Sequence, residues 1–119
     1  MKKYKILILD SQETIEKYYS NFINNSEYDV TFISDVNLLF NNTEHEHTHL
    51  IIVDLVHFRN HYESIVQYAR EKNTYIICAS SFKNVGDLNL DKSIRILNKP
   101  FKDIDLRITV KSVLAKHYS

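Results

Sequence analysis

The stretch Leu50-Ile51-Ile52-Val53-Asp54 decides the fold: four consecutive apolar residues, all but the first β-branched, end abruptly on a carboxylate. Unbroken rather than alternating apolar character implies a strand covered on both faces, as in a parallel sheet sandwiched between helices. The same pattern recurs outward in both directions. Toward the N-terminus, Tyr4 to Leu9 ends on Asp10 and Ser11, and Val30 to Ile33 ends on Ser34 and Asp35. Toward the C-terminus, Tyr75 to Ala79 ends on Ser80 and Ser81, and a weaker run, Ile94 to Leu97, ends on Asn98 and Lys99.

Amphipathic segments fill the intervals. Thr14 to Asn24 places Ile15, Tyr18, Tyr19, Phe22 and Ile23 at helical spacing, and Tyr62 to Lys72 does so with Ile65, Val66, Tyr68 and Ala69. Ile104, Leu106, Ile108, Val110, Val113 and Leu114 define a last helix capped near Asp103, and Val36 to Phe40 a short one. Phe82 to Lys92 shows little periodicity and reads as a short, frayed helix. Strand-helix alternation repeated five times predicts an α/β architecture: a doubly wound, five-stranded parallel sheet with helices on both faces, of the flavodoxin-like kind. The tyrosines Tyr18, Tyr19, Tyr62 and Tyr68 are then packing residues.

The 119 residues suit one domain, 1–119, with no repeat or linker dividing it. Fifteen basic residues balance fifteen acidic ones, which argues against a nucleic-acid or anionic-membrane binder. No apolar run approaches the roughly 18 residues that span a bilayer, and the apolar stretch after Lys5 stops at Asp10, so export is not expected. Cys78 is the single cysteine and reads as a buried strand thiol in a cytoplasmic protein. One glycine and one proline stand against about eight and six expected from average usage, so Asn and Asp must make the turns.

In open parallel sheets, ligands bind beyond the carboxyl ends of the strands. Asp10 and Asp54 end the first and third strands, neighbours in the common doubly wound order, and two close carboxylates attract a hard cation such as Mg²⁺. Ser80 and Lys99 end the fourth and fifth and suit the oxygens of a phosphoryl group. Ser81 competes with Ser80 for that role, but spacing favours Ser80. A plainer role for Asp54 is to cap the loop that follows it.

With Lys5 to Asp10, Leu50 to Leu55, Ile76 to Ser81 and Leu97-Asn98-Lys99-Pro100-Phe101 in this order and spacing, the sequence resembles the receiver domain of two-component response regulators over essentially its whole length. The resemblance implies a phosphoacceptor module rather than an enzyme. Asp54 would take a phosphoryl group from a histidine kinase or phosphotransfer protein, Ser80 would sense it and Lys99 pair with it. Pro100 fits the proline usually reached through a cis peptide. Mg²⁺ would be held by Asp10, Asp54 and the carbonyl of Val56. A downstream protein partner would use the face built from the helix before the fifth strand, that strand and the last helix, and a weak homodimer is compatible with it.

Three departures fall on working positions. The first loop reads Asp10-Ser11-Gln12, so Ser11 replaces one metal-binding acid, with Glu13 one position too far along; the Mg²⁺ site should be weakened. After Asp54 the chain reads Val56-His57-Phe58-Arg59-Asn60 in place of the family's usual Met-Pro and Asp-Gly, and Ile96 stands where a Tyr or Phe often serves as switch. Ser11, Ile96 and the poor helix over Phe82 to Lys92 favour a second reading, a degenerate receiver acting as a phosphorylation-independent interaction module. A small-molecule binder of the same fold ranks below both, since no phosphate-cradling glycine loop is present. Of the six histidines, His45, His47 and His49 alternate along an extended segment, and His57 and His61 are spaced for one helical turn. Three imidazoles can hold Zn, but Glu44 to Thr48 reads as a solvated loop.

Overall fold

A computed structural model describes residues 3–24, 27–41, 47–81 and 93–118. The chain runs β1 (Tyr4–Leu9), α1 (Gln12–Tyr18), α2 (Ser20–Ile23), β2 (Tyr28–Ile33), α3 (Val36–Phe40), β3 (Leu50–Asp54), α4 (Leu55–Asn60), α5 (Tyr62–Lys72), β4 (Tyr75–Ser80), β5 (Arg95–Asn98) and α6 (Asp103–Tyr118). The five strands form one parallel sheet in the order β2-β1-β3-β4-β5. The frayed helix expected over Phe82 to Lys92 lies outside the described residues, as do His45 and Gly86.

Alternate residues of the central strands feed two cores. Ile6, Ile8, Leu50, Ile52, Ile77 and Ala79 pack with α1, α2 and α6 through Ile15, Tyr19, Phe22, Leu106 and Val110. Leu7, Leu9, Ile51, Val53, Ile76 and Cys78 pack with α3, α4 and α5 through Leu39, Leu55, Phe58, Ile65 and Ala69. Burial on both faces explains why β1, β3 and β4 lack any polar alternation. The tyrosines pack as their spacing implies, with Tyr19 fully buried and Tyr18 and Tyr19 against Phe101.

Local chemistry sets the boundaries. Ser11 caps α1 by accepting the Thr14 N–H, and Asp35 caps α3 through Asn37. Asn73 ends α5 in the left-handed conformation (φ 53°), the task glycine usually performs. Three local readings are corrected. The first helix begins at Gln12 and breaks at Tyr19 into two pieces. Strand β2 starts two residues earlier, at Tyr28, because as an edge strand it pairs along only one side and tolerates the exposed Asp29. Residues 55–60, read as a loop, are helical. The last helix starts at Asp103, next to Lys102, as expected; there the Lys102 carbonyl accepts the Leu106 N–H and the Lys102 N–H donates to Asp105.

Candidate functional site

Registers at the carboxyl edge of the sheet bring the polar strand ends together. Pairing of Leu9 with Val53 sets Asp10 and Asp54 level on adjacent strands, and pairing of Ser80 with Asn98 places Lys99 one residue beyond. Asp10 is 3% exposed, Asp54 7% and Ser80 1%, so the site is a buried polar cluster rather than a surface patch. The Lys99 ammonium donates to Asp10 Oδ2 at 3.0 Å, and Asp10 Oδ1 accepts the Ser11 N–H at 2.8 Å. The Lys99 backbone N–H donates to the Ser80 carbonyl at 2.7 Å, and the Lys99–Pro100 peptide is cis.

Asp54 is held differently. Its Oδ2 accepts the His57 N–H at 3.3 Å, making Asp54 the N-cap of α4, and its Oδ1 is bonded to Nδ1 of the same His57. Both Asp54 oxygens are thus engaged by one residue. Burial pushes the Asp10 carboxyl above the usual range, opposed by Lys99 and the Ser11 N–H and reinforced by the nearby Asp54 charge. Burial also pushes the Cys78 thiol up to about 12, with Asp54 adding to the shift, which makes this strand thiol inert.

No family model matches the sequence, and no curated protein matches it. Solved structures do match. A response regulator from Thermotoga maritima superposes with a TM-score of 0.77 at 17% identity, over 96% of this chain and 99% of that one. A signal receiver domain from Vibrio parahaemolyticus superposes with a TM-score of 0.76 at 19% identity, over 98% and 93%. The signal receiver domain of an HD-domain-containing protein from Pseudomonas fluorescens Pf-5 gives 0.64 at 20% identity, over 98% of each chain. The chain has the receiver-domain fold.

Within that receiver fold, the residues present do not fit a divalent cation as they stand. Ser11 spends its hydroxyl on Thr14 as a helix cap and is exposed. Val56 lies in the first turn of α4, where carbonyls point along the axis toward the C-terminal end and away from Asp54 at the N-terminus. Asp10 already holds Lys99, and Asp54 holds His57. Among the described residues, no group of three or more His, Cys, Asp or Glu side chains is arranged to hold a metal. The histidine pair at the other end of the sheet has a structural use. His49 Nδ1 accepts the Lys5 N–H at 3.0 Å, and the His47 ring stands edge-on to it. Thr48 is buried, not solvated as its polar neighbours suggest, and its carbonyl accepts the Thr74 hydroxyl.

Sequence reasoning missed two residues at the site. His57 was visible in principle, because an acid followed three residues later by a donor is the spacing of an N-cap contact. Tyr19 reads as packing, and it packs, yet its hydroxyl is buried without a hydrogen-bond partner. Its phenol is pushed far up by burial, with the charges of Asp10 and Asp54 contributing. Nothing in an apolar helical face reveals where a phenol oxygen will end.

Proposed function

We propose that this chain is a response-regulator-type signalling module that accepts a phosphoryl group on Asp54 from a histidine kinase or phosphotransfer protein. The observation that carries the reading is the convergence of Asp10, Asp54, Ser80 and Lys99 from four strand ends into one buried cluster. In the transfer, an Asp54 oxygen attacks the phosphorus of a phosphohistidine. The P–N bond breaks, the donor imidazole leaves and recovers a proton, and an acyl phosphate forms. The Lys99 ammonium offsets the added charge, and the Ser80 hydroxyl can donate to a phosphoryl oxygen. The single buried thiol and the absence, among the described residues, of a helix long and apolar enough to cross a membrane accord with a cytoplasmic setting.

The partner surface in this reading lies on β5 and α6. Ile104 and Ile108, one helical turn apart, are 57% and 60% exposed, and Ile96 on β5 is half-buried. The test of the central reading is incubation with a small phosphodonor followed by intact mass measurement. One phosphoryl group should be gained by the wild type and none by Asp54→Asn.

A second reading, a receiver that works as an interaction module without phosphorylation, is favoured by one observation: His57 occupies both oxygens of Asp54. It predicts no labelling under any condition and partner binding unaffected by Asp54→Asn.

A further inference from the structure

We propose that His57 is a latch on the acceptor carboxylate: the pocket is closed to cation and phosphoryl group alike until His57 leaves Asp54. The inference deepens the phosphoacceptor reading and, for its phosphoryl half, rests on it.

Three observations build the latch. The His57 ring holds Asp54 Oδ1 and the His57 backbone N–H holds Oδ2, so one residue engages both oxygens and its side chain alone blocks Oδ1. The position of His57 is fixed by its neighbours, since Leu55 and Phe58 bury themselves against the sheet at 2% and 0% exposure and clamp the short helix α4 directly behind Asp54. The ring itself is only half-buried, with 29% of its side chain exposed, so rotation about its side-chain bonds carries it to solvent without disturbing that anchor. Swinging the ring out leaves this turn and the direction of the Val56 carbonyl unchanged, so what the latch withholds is Asp54 Oδ1 and the space beside it.

Closed latch and bound cation therefore exclude one another. A ligand that binds only the open form has its apparent affinity reduced by the open fraction, so a latch closed about nine-tenths of the time costs about tenfold. The coupling is reciprocal: a ligand that needs the freed carboxylate must also drive His57 outward.

The experiment compares wild type, His57→Ala and His57→Asn in the full chain. The Asn amide nitrogen takes nearly the position of Nδ1 and keeps a donor for Asp54. Mg²⁺ is titrated while the amide signals of Ser11 and Leu55 are followed by NMR, which needs no phosphorylation, and the same spectra report that each variant is folded. Labelling by acetyl phosphate is measured in parallel, with Asp54→Asn as blank. His57→Ala should bind Mg²⁺ about tenfold more tightly and label about tenfold faster, with His57→Asn close to wild type. Mg²⁺ affinity and labelling rate both equal in wild type and His57→Ala overturn the latch. Opening by His57→Asn as large as by His57→Ala overturns the hydrogen-bond account. Tighter Mg²⁺ in His57→Ala without labelling of any protein keeps the latch and rejects Asp54 as acceptor.

Discussion

The two ends of the parallel sheet are built from similar materials and put to opposite uses. At the amino end, His49 accepts the Lys5 N–H, and the Tyr118 hydroxyl shares its hydrogen between the carbonyls of His49 (2.9 Å) and Asn73 (2.8 Å). Tyr4, Tyr75 and His117 close rings around them, with Tyr75 and His117 stacked at 3.6 Å. Neutral donors and acceptors are matched there, and the last helix is tied to the sheet. At the carboxyl end, two buried acids sit side by side, each restrained by a nitrogen donor from a different element, and a phenol hydroxyl is left unpartnered. One end is satisfied and holds the fold together. The other stores unfavourable charge proximity where a ligand can relieve it, which is the usual character of a functional site.

Removing a restraint at the charged end should have the largest effect. Lys99→Met leaves Asp10 buried without its cation and should cost roughly 3 kcal/mol at neutral pH in a urea titration. Asp10 already has a raised carboxyl pKa, so its neutral form favours the native state, and that contribution is lost as pH rises through the folded value. The Lys99→Met deficit should therefore shrink on acidification, and a deficit that stays constant with pH would show that the ion pair is not its source.

At the amino end, Tyr118→Phe removes a neutral hydrogen bond and should cost about 1 kcal/mol by the same measurement. Conversely, Tyr19→Phe deletes an unsatisfied buried hydroxyl from the opposite end and should stabilise by about 1 kcal/mol. Destabilisation by Tyr19→Phe would mean that the phenol is partnered in solution and that the contrast between the ends is weaker than drawn.

The smallest effect concerns acid. His49 is shifted down by burial and by His47, and its Nδ1 must be unprotonated to accept the Lys5 N–H. The unfolded chain then binds more protons, so this contribution is present above the unfolded value near 6.5 and is lost as pH falls through the lower folded one. The denaturation midpoint should drop modestly between neutral pH and pH 5. His49→Asn, which keeps an acceptor but does not titrate, should flatten the drop, with Tyr4, His47, Tyr75, His117 and Tyr118 left as the facing groups.

Much of this organisation is legible in the chain. Apolar runs ending at Asp10, Asp54 and Ser80 mark the strands, and the Lys99-Pro100 pair after an apolar run marks the fifth strand end, because two-sided burial and carboxyl-edge chemistry both leave continuous signatures. The helix over Leu55–Asn60 is not legible. Val, His, Phe and Asn are indifferent helix formers, and what makes the turn is tertiary: Leu55 and Phe58 reaching the sheet and Asp54 capping. The consequences of that turn, His57 on Asp54 and the Val56 carbonyl turned away, are hidden with it. The capping role weighed for Asp54 and the acceptor role are not exclusive, since the same carboxylate does the first in the closed state and is proposed to do the second when released.

The most direct test of the account is fluorine NMR of the wild type, Asp54→Asn and His57→Ala with beryllofluoride, a mimic of an aspartyl phosphate, at saturating Mg²⁺. A bound fluoride signal in the wild type, stronger in His57→Ala and lost in Asp54→Asn, is the predicted result. No bound signal in either the wild type or His57→Ala, with both folded, would contradict the claim that the carboxyl edge of this sheet receives a phosphoryl group.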